Sequence, residues 1–302
     1  MSKRIITAVA LIGAAGVISG CTLDQPSAGC IVQDSTDYPW QAVYVLKNSA
    51  DEAKTCGKLK GEALGVWKYV QFTRDEQTQA LNKTGAKLAI RPEGLAKRFE
   101  PYPYEDEVLN ADGSVKVDED GNPVMEEKEV DRVEGARADD YKIAKAATAL
   151  SSTLADEPND KGLCGTSGFN AATVTSSAVE RINEETGETI TVVPEETVTY
   201  AFTDVQVYSD PSAPGTQLTG TLKYSDGPGC EAEYTVLALW PQVECDPDAF
   251  ASPTEANAAD RCDVGSGLNP DFDAVCVDGI GPGGAAACVP NPATGVPAFK
   301  KK

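Results

Sequence analysis

The amino-acid sequence predicts a mainly β protein, an antiparallel sheet, sandwich or meander with one or two short helices and a disulfide-rich loop tail. Three consecutive segments, 197–208, 217–224 and 231–240, alternate apolar and polar residues and are separated by short turns. This alternation is typical of an antiparallel meander with one face packed on a core. Residues 243–302 hold four cysteines, many Gly, Pro, Asp and Ala residues and almost no apolar run, which predicts loops that bury little core and end in a frayed tail.

The first predicted strands lie in the N-terminal third of the chain. Residues Gln41–Lys47 and Leu64–Phe72 are rich in β-branched and aromatic side chains, and a shorter strand is predicted at Lys87–Arg91. Between them, Thr73 to Glu76 has the spacing of a capping box, with a hydroxyl followed three residues later by Glu. This spacing predicts a short helix that ends near Leu81.

A second helix is predicted over 138–154. Apolar residues recur in this segment close to a helical stripe that includes Ile143, Ala147 and Leu150. Pro158 and the acidic residues around it end the pattern. The segment is the best helix candidate after the N-terminal 20 residues.

The first segment of the meander changes parity along its length. Tyr200 and Phe202 share one face, but Val205 and Val207 have the opposite parity. A β-bulge inserts one extra residue and moves the following side chains to the other face. The sequence therefore predicts a bulge near Thr203-Asp204.

Residues 105–134 form an acidic segment with 12 acidic and three basic side chains. The turn signals Asp112-Gly113 and Asp120-Gly121 predict an exposed acidic hairpin inserted into the β domain. A calcium loop is the alternative, because oxygen side chains fall at EF-hand positions 1, 3, 5 and 12. Those residues are Asp118, Asp120, Asn122 and Glu129. Position 6 holds Pro123 where that loop needs glycine, which favours a solvated hairpin.

The N-terminal segment predicts export and lipid attachment. Lys3 and Arg4 precede residues 5–18, which carry no charge. That run fits the roughly 7–15 residues of a signal-peptide core and is shorter than the roughly 20 of a membrane-spanning helix. It ends at Ile18-Ser19-Gly20-Cys21, which resembles the lipobox of bacterial lipoproteins. The resemblance implies cleavage before Cys21, acylation of that cysteine and a lipid anchor in the membrane.

The residue after Cys21 bears on which of the two membranes the protein is anchored in. In the lipoproteins that this motif resembles, Asp at that position retains the protein at the inner membrane. Thr22 stands here, which implies the outer membrane, with the protein facing the periplasm or the cell surface. An ordinary secretion signal with a chance cysteine is the alternative.

The chain is thus expected to have four parts. They are a signal peptide at 1–20, a lipid-anchored tether at 21–29, a β-rich domain at 30–243 and a loop-rich segment at 244–302 held by disulfides. The acidic hairpin at 105–134 belongs to the β-rich domain as an insert.

The cysteine count favours structural disulfides. Acylation of Cys21 leaves eight of the nine cysteines, an even number as expected of an exported, disulfide-bonded protein. No two stand at the two-residue spacing of a zinc knuckle, so no metal site is expected. Proximity in sequence favours the pairs Cys30–Cys56, Cys164–Cys230, Cys245–Cys262 and Cys276–Cys288.

Composition excludes several function classes. The chain has 47 acidic and 26 basic residues and a formal net charge of −21, so it repels phosphate backbones and no nucleic-acid partner is expected. It contains no histidine, which excludes Ser-His-Asp triads, Cys-His pairs and imidazole metal sites. No cofactor is expected.

We therefore expect an exported, lipid-anchored lipoprotein of the bacterial envelope with a non-catalytic binding or structural role and an unidentified protein or glycan partner. A calcium-dependent surface adhesin is one alternative, with acidic clusters as ligands. A glycan-active enzyme with a carboxylate pair is a weaker alternative, in which Trp40, Trp67 and Trp240 form a sugar platform. Core packing is the favoured role of these tryptophans.

Overall fold

The computed structural model describes residues 28–133, 147–182 and 187–301. Most of the regular structure is antiparallel β-sheet. The strands are β1 Trp40–Leu46, β2 Gly61–Arg74, β3 Leu81–Pro92, β4 Tyr102–Glu107, β5 Met125–Val130, β6 Ala149–Leu150, β7 Thr153–Leu154, β8 Leu163–Ser167, β9 Ala172–Ser176, β10 Val179–Ile182, β11 Thr189–Val193, β12 Glu196–Tyr208, β13 Gln217–Gly227, β14 Cys230–Leu239, β15 Ala274–Val277 and β16 Ala287–Pro290. The helix α1 spans Glu93–Ala96. Short 3-10 segments span Ser49–Asp51, Thr55–Lys58, Lys97–Phe99, Pro247–Phe250, Glu255–Asn257, Ala259–Arg261 and Pro282–Gly284.

The main sheet closes on itself. Its hydrogen-bonded order is β13-β14-β1-β2-β3-β7-β8-β12, and β12 also pairs with β13. The N-terminal half of β12 bonds to β9, and its C-terminal half bonds to β8. We call this ring of strands the closed sheet. Mainly antiparallel β architecture was predicted and is confirmed, whereas closure of the sheet was not foreseen.

The closed sheet is filled by one apolar core. The largest fully buried side chains in it include Trp40, Tyr200, Phe202 and Tyr234. They come from alternate positions of their strands, because successive side chains of a strand point to opposite faces. Burial of these aromatic rings supplies much of the apolar area that stabilises the fold.

The predicted meander is confirmed as β12, β13 and β14. In β12 the register shifts between Thr203 and Gln206, and Asp204 has a φ of 53°. Phe202 and Val205 are both buried in the core as a result. The predicted bulge is therefore present, and it lets both halves of β12 present apolar residues to the same core.

The acidic segment forms a separate two-stranded arm. β4 pairs with β5 from Tyr102↔Val130 to Glu107↔Met125, and isolated bridges Leu109↔Val115 and Val117↔Pro123 extend the pairing. β10 and β11 form a second small hairpin, with Val179 facing Val193. The predicted hairpin character of the acidic segment is thus observed.

The C-terminal segment packs against the outer face of the closed sheet. Ile280, Ala287 and Val289 form a buried cluster with Val43 of β1 and Leu237 of β14. The expectation that residues 243–302 bury little core is therefore wrong. The chain end is also held rather than frayed, because the Phe299 ring packs edge-on against Phe272 at 5.5 Å and Lys300 ion-pairs with Asp263.

Both predicted helices are wrong where the structure describes them. Thr73 and Arg74 end β2, and the Asp75 carboxylate accepts hydrogen bonds from the backbone N–H groups of Gln77 and Thr78 in a hairpin turn. In the 138–154 segment, residues 147–154 contain β6 and β7. Residues 138–146 lie outside the described part of the chain.

Candidate functional site

The attachment point of the predicted tether is fixed by several bonds. Cys21 lies outside the described residues, which begin at residue 28. The Cys30 backbone N–H donates to the Asp156 carbonyl at 2.8 Å, and the Ile31 N–H donates to Ser209 Oγ at 2.7 Å. A disulfide joins Cys30 to Cys164 of β8. The first described residues are thus fastened to the sheet at Cys30 and Ile31.

The β2–β3 hairpin lies beside this attachment point. Lys68 of β2 donates from Nζ to the Cys30 carbonyl, and Lys83 of β3 forms an ion pair with Asp156. Burial lowers the pKa of Lys68, chiefly by desolvation. Cys30 and Cys164 also pack with Ala86 and Leu154 in a small buried cluster. Cys30, close to the first described residue, and the β2–β3 hairpin therefore lie side by side on the closed sheet.

All eight cysteines in the described residues are joined in four disulfides, but each predicted pair is wrong. The bonds are Cys30–Cys164, Cys56–Cys230, Cys245–Cys276 and Cys262–Cys288. For Cys30–Cys164 and Cys56–Cys230, proximity in sequence failed because the sheet closes between elements that are far apart in the chain. The two C-terminal bonds interleave, so neither joins cysteines adjacent in sequence. The segment holding Cys56 packs on β14, where Tyr234 donates its hydroxyl to the Cys56 carbonyl at 2.5 Å.

A buried carboxylic acid lies inside the closed sheet. Glu62 of β2 is 8% exposed. Its carboxylate accepts a hydrogen bond from the Tyr44 hydroxyl at 3.0 Å and another from the Gly94 backbone N–H at the start of α1. A Cβ at residue 94 would lie 2.6 Å from the Tyr200 hydroxyl and 3.0 Å from Glu62 Oε2. Glycine is needed there because the helix backbone approaches these groups closely.

The pKa values in this cluster follow from burial. Desolvation raises the pKa of Glu62 above its ordinary value of 4.5, and the hydrogen bonds from Gly94, Tyr200 and Tyr44 oppose that rise. Desolvation also raises the pKa of Tyr44 and Tyr200 well above 10. Both phenols therefore stay protonated and can donate to the carboxylate. This polar cluster was not predicted, although Glu62 has the same strand parity as the buried Leu64.

The three tryptophans do not form a common platform. Trp40 is fully buried and donates its indole N–H to the Gln33 carbonyl at 2.9 Å. Trp240 is half-buried and donates to the Tyr38 carbonyl at 3.1 Å. Trp67 lies on the outer face of β2 and covers Gly65, where a Cβ would be 2.2 Å from the indole ring. Core and surface packing therefore account for these residues.

Trp67 does border a shallow groove of about 370 Å³ together with Pro39, Arg91 and Glu93. Glu62 does not line this groove. The buried acid and the half-buried Trp67 therefore belong to different sites, and a sugar stacked on Trp67 would not reach the Glu62 carboxylate.

The structure separates the four residues of the alternative calcium loop. Asp118 Oδ1 accepts hydrogen bonds from the backbone N–H groups of Asp120 and Asn122, at 2.9 and 2.8 Å, and so closes the end of the acidic arm. Glu129 lies in β5 opposite Pro103. Seven residue steps separate it from Asn122, which in extended backbone corresponds to about 23 Å. This carboxylate cannot complete a site with Asp118.

Comparison with known proteins identifies the family of this chain. Residues 38–241 match the sequence model of the MlpA family, a range that runs from just before β1 to just after β14. The chain belongs to the MlpA family. A similar relative is the protein named "Putative lipoprotein MlpA" from Myxococcus xanthus, 34% identical over 306 residues, which covers 99% of this chain and 100% of the relative. No solved structure matches the chain.

The MlpA family match and the longer match differ in extent. The MlpA family range ends before Cys245, so it excludes the C-terminal segment with its two disulfides. The match to the Myxococcus xanthus protein extends over nearly the whole chain. Among the described residues no helix is long and apolar enough to cross a membrane.

Proposed function

We propose that this protein is an exported lipoprotein of the bacterial envelope, anchored by acyl chains on Cys21, with a non-catalytic binding or structural role. The lipobox Ile18-Ser19-Gly20-Cys21 carries the proposal. The name of the Myxococcus xanthus relative, a putative lipoprotein, supports it, because that match includes the N-terminal region. Several buried acyl chains anchor a protein far more firmly than one, since each buried CH₂ contributes about 0.8 kcal/mol.

The disulfides support export. Four cross-links are typical of proteins that fold in an oxidising compartment. The outer membrane is the proposed destination, because Thr22 rather than Asp follows the cysteine.

The non-catalytic role is supported by the environment of Glu62. Its carboxylate faces the packed interior and is held by Tyr44 and Gly94, whereas a glycosidase acid must reach the substrate beside a second carboxylate. The calcium-dependent alternative stays a prediction. A rise in melting temperature with millimolar Ca²⁺ but not with Mg²⁺ would favour it.

Detergent phase partitioning tests the anchor. The wild type should enter the detergent phase, and Cys21→Ser should move to the aqueous phase because it cannot be acylated. Ser19→Ala is the matched control, since it keeps a small residue and leaves the cysteine in place. A Cys21→Ser variant that stays in the detergent phase would show that the anchor is something else.

Density-gradient fractionation of the two membranes tests the destination. The wild type should sediment with the outer membrane, and Thr22→Asp should move it to the inner membrane. Equal distribution of the two proteins would refute the assignment made from Thr22 while leaving the anchor at Cys21 intact.

A further inference from the structure

The β2–β3 hairpin carries a cluster of exposed apolar side chains. Tyr69 is 53%, Phe72 56% and Leu81 61% exposed, and Val70 is also exposed. We call these four residues, which lie on both faces of the hairpin, the hairpin surface. Exposed aromatic and aliphatic side chains grouped on one element mark a contact site rather than a solvated strand.

The strand register combines this surface with basic side chains. Phe72 lies opposite Lys83, and Arg74 lies opposite Leu81. Cross-strand partners share a face, and residues two apart on one strand share it as well, so Phe72, Arg74, Leu81 and Lys83 lie on the same face. Tyr69 lies opposite Lys87 on the other face. Aromatic rings flanked by Lys and Arg are typical of the membrane–water interface.

The hairpin lies close to the start of the described chain, so the distance to a membrane anchor at Cys21 can be bounded. Lys68 and Lys83 contact Cys30 and Asp156, which hold the first described residues of the chain. Eight peptide steps separate Cys21 from Gly29 and span at most about 29 Å. The strand from Lys68 to Arg74 extends about 20 Å. A bilayer that holds acyl chains on Cys21 is therefore within reach of the hairpin surface.

The charge of the hairpin contrasts with that of the whole chain. Residues 68–87 carry four basic and two acidic side chains, and a small positive excess remains after Lys83 is paired with Asp156. The whole chain, by contrast, has 47 acidic and 26 basic residues. An anionic lipid surface attracts the hairpin and repels the acidic remainder of the molecule. This asymmetry favours an orientation with the hairpin toward the lipid.

We propose that the hairpin surface docks into the headgroup region of an anionic phospholipid bilayer, next to the acyl anchor, and so orients the protein on the membrane. The inference rests on the proposed anchor at Cys21. It adds a second membrane contact, made by side chains of the folded domain.

Vesicle binding by the unacylated chain from residue 21 onward, without the apolar segment at 5–18, separates this contact from the anchor. Cys21→Ser should co-sediment with vesicles of phosphatidylcholine and phosphatidylglycerol, and should bind more weakly to phosphatidylcholine alone or in high salt. Adding Phe72→Ser and Leu81→Ser should weaken binding about tenfold or more, because both side chains lose apolar burial in the lipid. The control adds Leu109→Ser and Val117→Ser on the acidic arm, which are similarly exposed, and should bind like Cys21→Ser.

A second measurement uses the acylated chain on the same vesicles. Phe72→Trp should show fluorescence quenched by lipids brominated on their acyl chains, and Val117→Trp should not. Equal quenching at both positions, or equal vesicle binding by the hairpin and arm variants, would overturn the proposal. So would a dimer in solution that the hairpin changes dissociate, since the surface would then serve a second copy of the chain. Failure of the anchor is read separately, from detergent partitioning of Cys21→Ser.

Discussion

Glu62 is the residue at which local chemistry and fold are most tightly connected. Its carboxyl group lies among apolar side chains, and it joins β2 to α1 through Gly94 and to β1 through Tyr44. A buried polar group of this kind stabilises a fold only when its hydrogen bonds are complete. The three elements are thereby held in one arrangement.

The raised pKa of Glu62 predicts a pH dependence. At pH values between the ordinary Glu62 pKa of 4.5 and its higher pKa in the folded state, the folded state binds more protons than the unfolded state. The free energy of unfolding that Glu62 contributes is therefore fully present below about pH 4.5 and falls as pH rises through the folded pKa. Glutamine at residue 62 cannot ionise, so Glu62→Gln should not show this loss of stability as pH rises. The variant should therefore gain stability relative to wild type toward neutral pH.

Urea unfolding at a series of pH values between 4 and 8 measures the difference. Glu119→Gln on the exposed acidic arm is the surface control. A constant stability difference between wild type and Glu62→Gln across this range would refute the assignment of a raised pKa.

The sequence contained a signal for this residue. Glu62, Leu64 and Val66 share the parity of the buried face of β2, so strict alternation places an acid in the core. Its partners could not be predicted, because Tyr44 and Gly94 belong to other elements and meet Glu62 only after the sheet closes. Cys21 shows the opposite case, since its motif is local and needs no tertiary structure to be recognised.

Two buried glutamines fasten the C-terminal segment to the sheet. Gln41 and Gln217 both lie opposite Leu239, in the strands on either side of β14, and both are fully buried. Gln41 Nε2 donates to the Ile280 carbonyl at 2.8 Å. The Ala298 backbone N–H donates to Gln217 Oε1 at 2.6 Å. A strand face that alternation predicts as solvated is in fact covered.

Gln217→Leu tests this attachment. The change keeps the side-chain volume but leaves the Ala298 N–H buried without its acceptor, which should cost about 1–3 kcal/mol of unfolding free energy. Proteolysis should also cleave the C-terminal segment faster. Gln71→Leu, at an exposed position of β2, should change stability by less than about 0.5 kcal/mol. Equal effects of the two changes would mean that Gln217 does not hold the segment.

Prediction of the elements succeeded where alternation was long and failed where the signals were short. β12, β13 and β14 run for ten or more residues, and their pattern was unambiguous. Thr73 to Glu76 satisfied a capping pattern, but Thr73 lies in β2, and the Asp75 carboxylate closes the turn of a β-hairpin instead. β6 and β7 have two residues each and form only by pairing with β3 and β8. Local sequence cannot specify such pairings.

At the scale of the whole molecule, the disulfides divide into two classes. Cys30–Cys164 and Cys56–Cys230 have sequence separations of 134 and 174 and lie at the closed sheet. Cys245–Cys276 and Cys262–Cys288 have separations of 31 and 26 and lie within the C-terminal segment. The two short bonds interleave, so each one restricts the loop of the other.

These classes should differ in their effect on stability. In the chain-entropy model, a bond that closes 174 residues contributes about 5 kcal/mol and one that closes 31 residues about 4 kcal/mol. Either figure is a large part of the roughly 5–15 kcal/mol that stabilises a typical domain. Cys56→Ser with Cys230→Ser should therefore lower the melting temperature more than Cys245→Ser with Cys276→Ser, and the first pair should loosen β14 from the segment that holds Cys56.

Full reduction of the wild type should lower the melting temperature further than either double variant. Differential scanning calorimetry with and without reductant, with thiols counted before each scan, measures these shifts. Equal melting temperatures of the oxidised and fully reduced protein would mean that the apolar core alone sustains the fold, and would remove the physical reason for folding in an oxidising compartment.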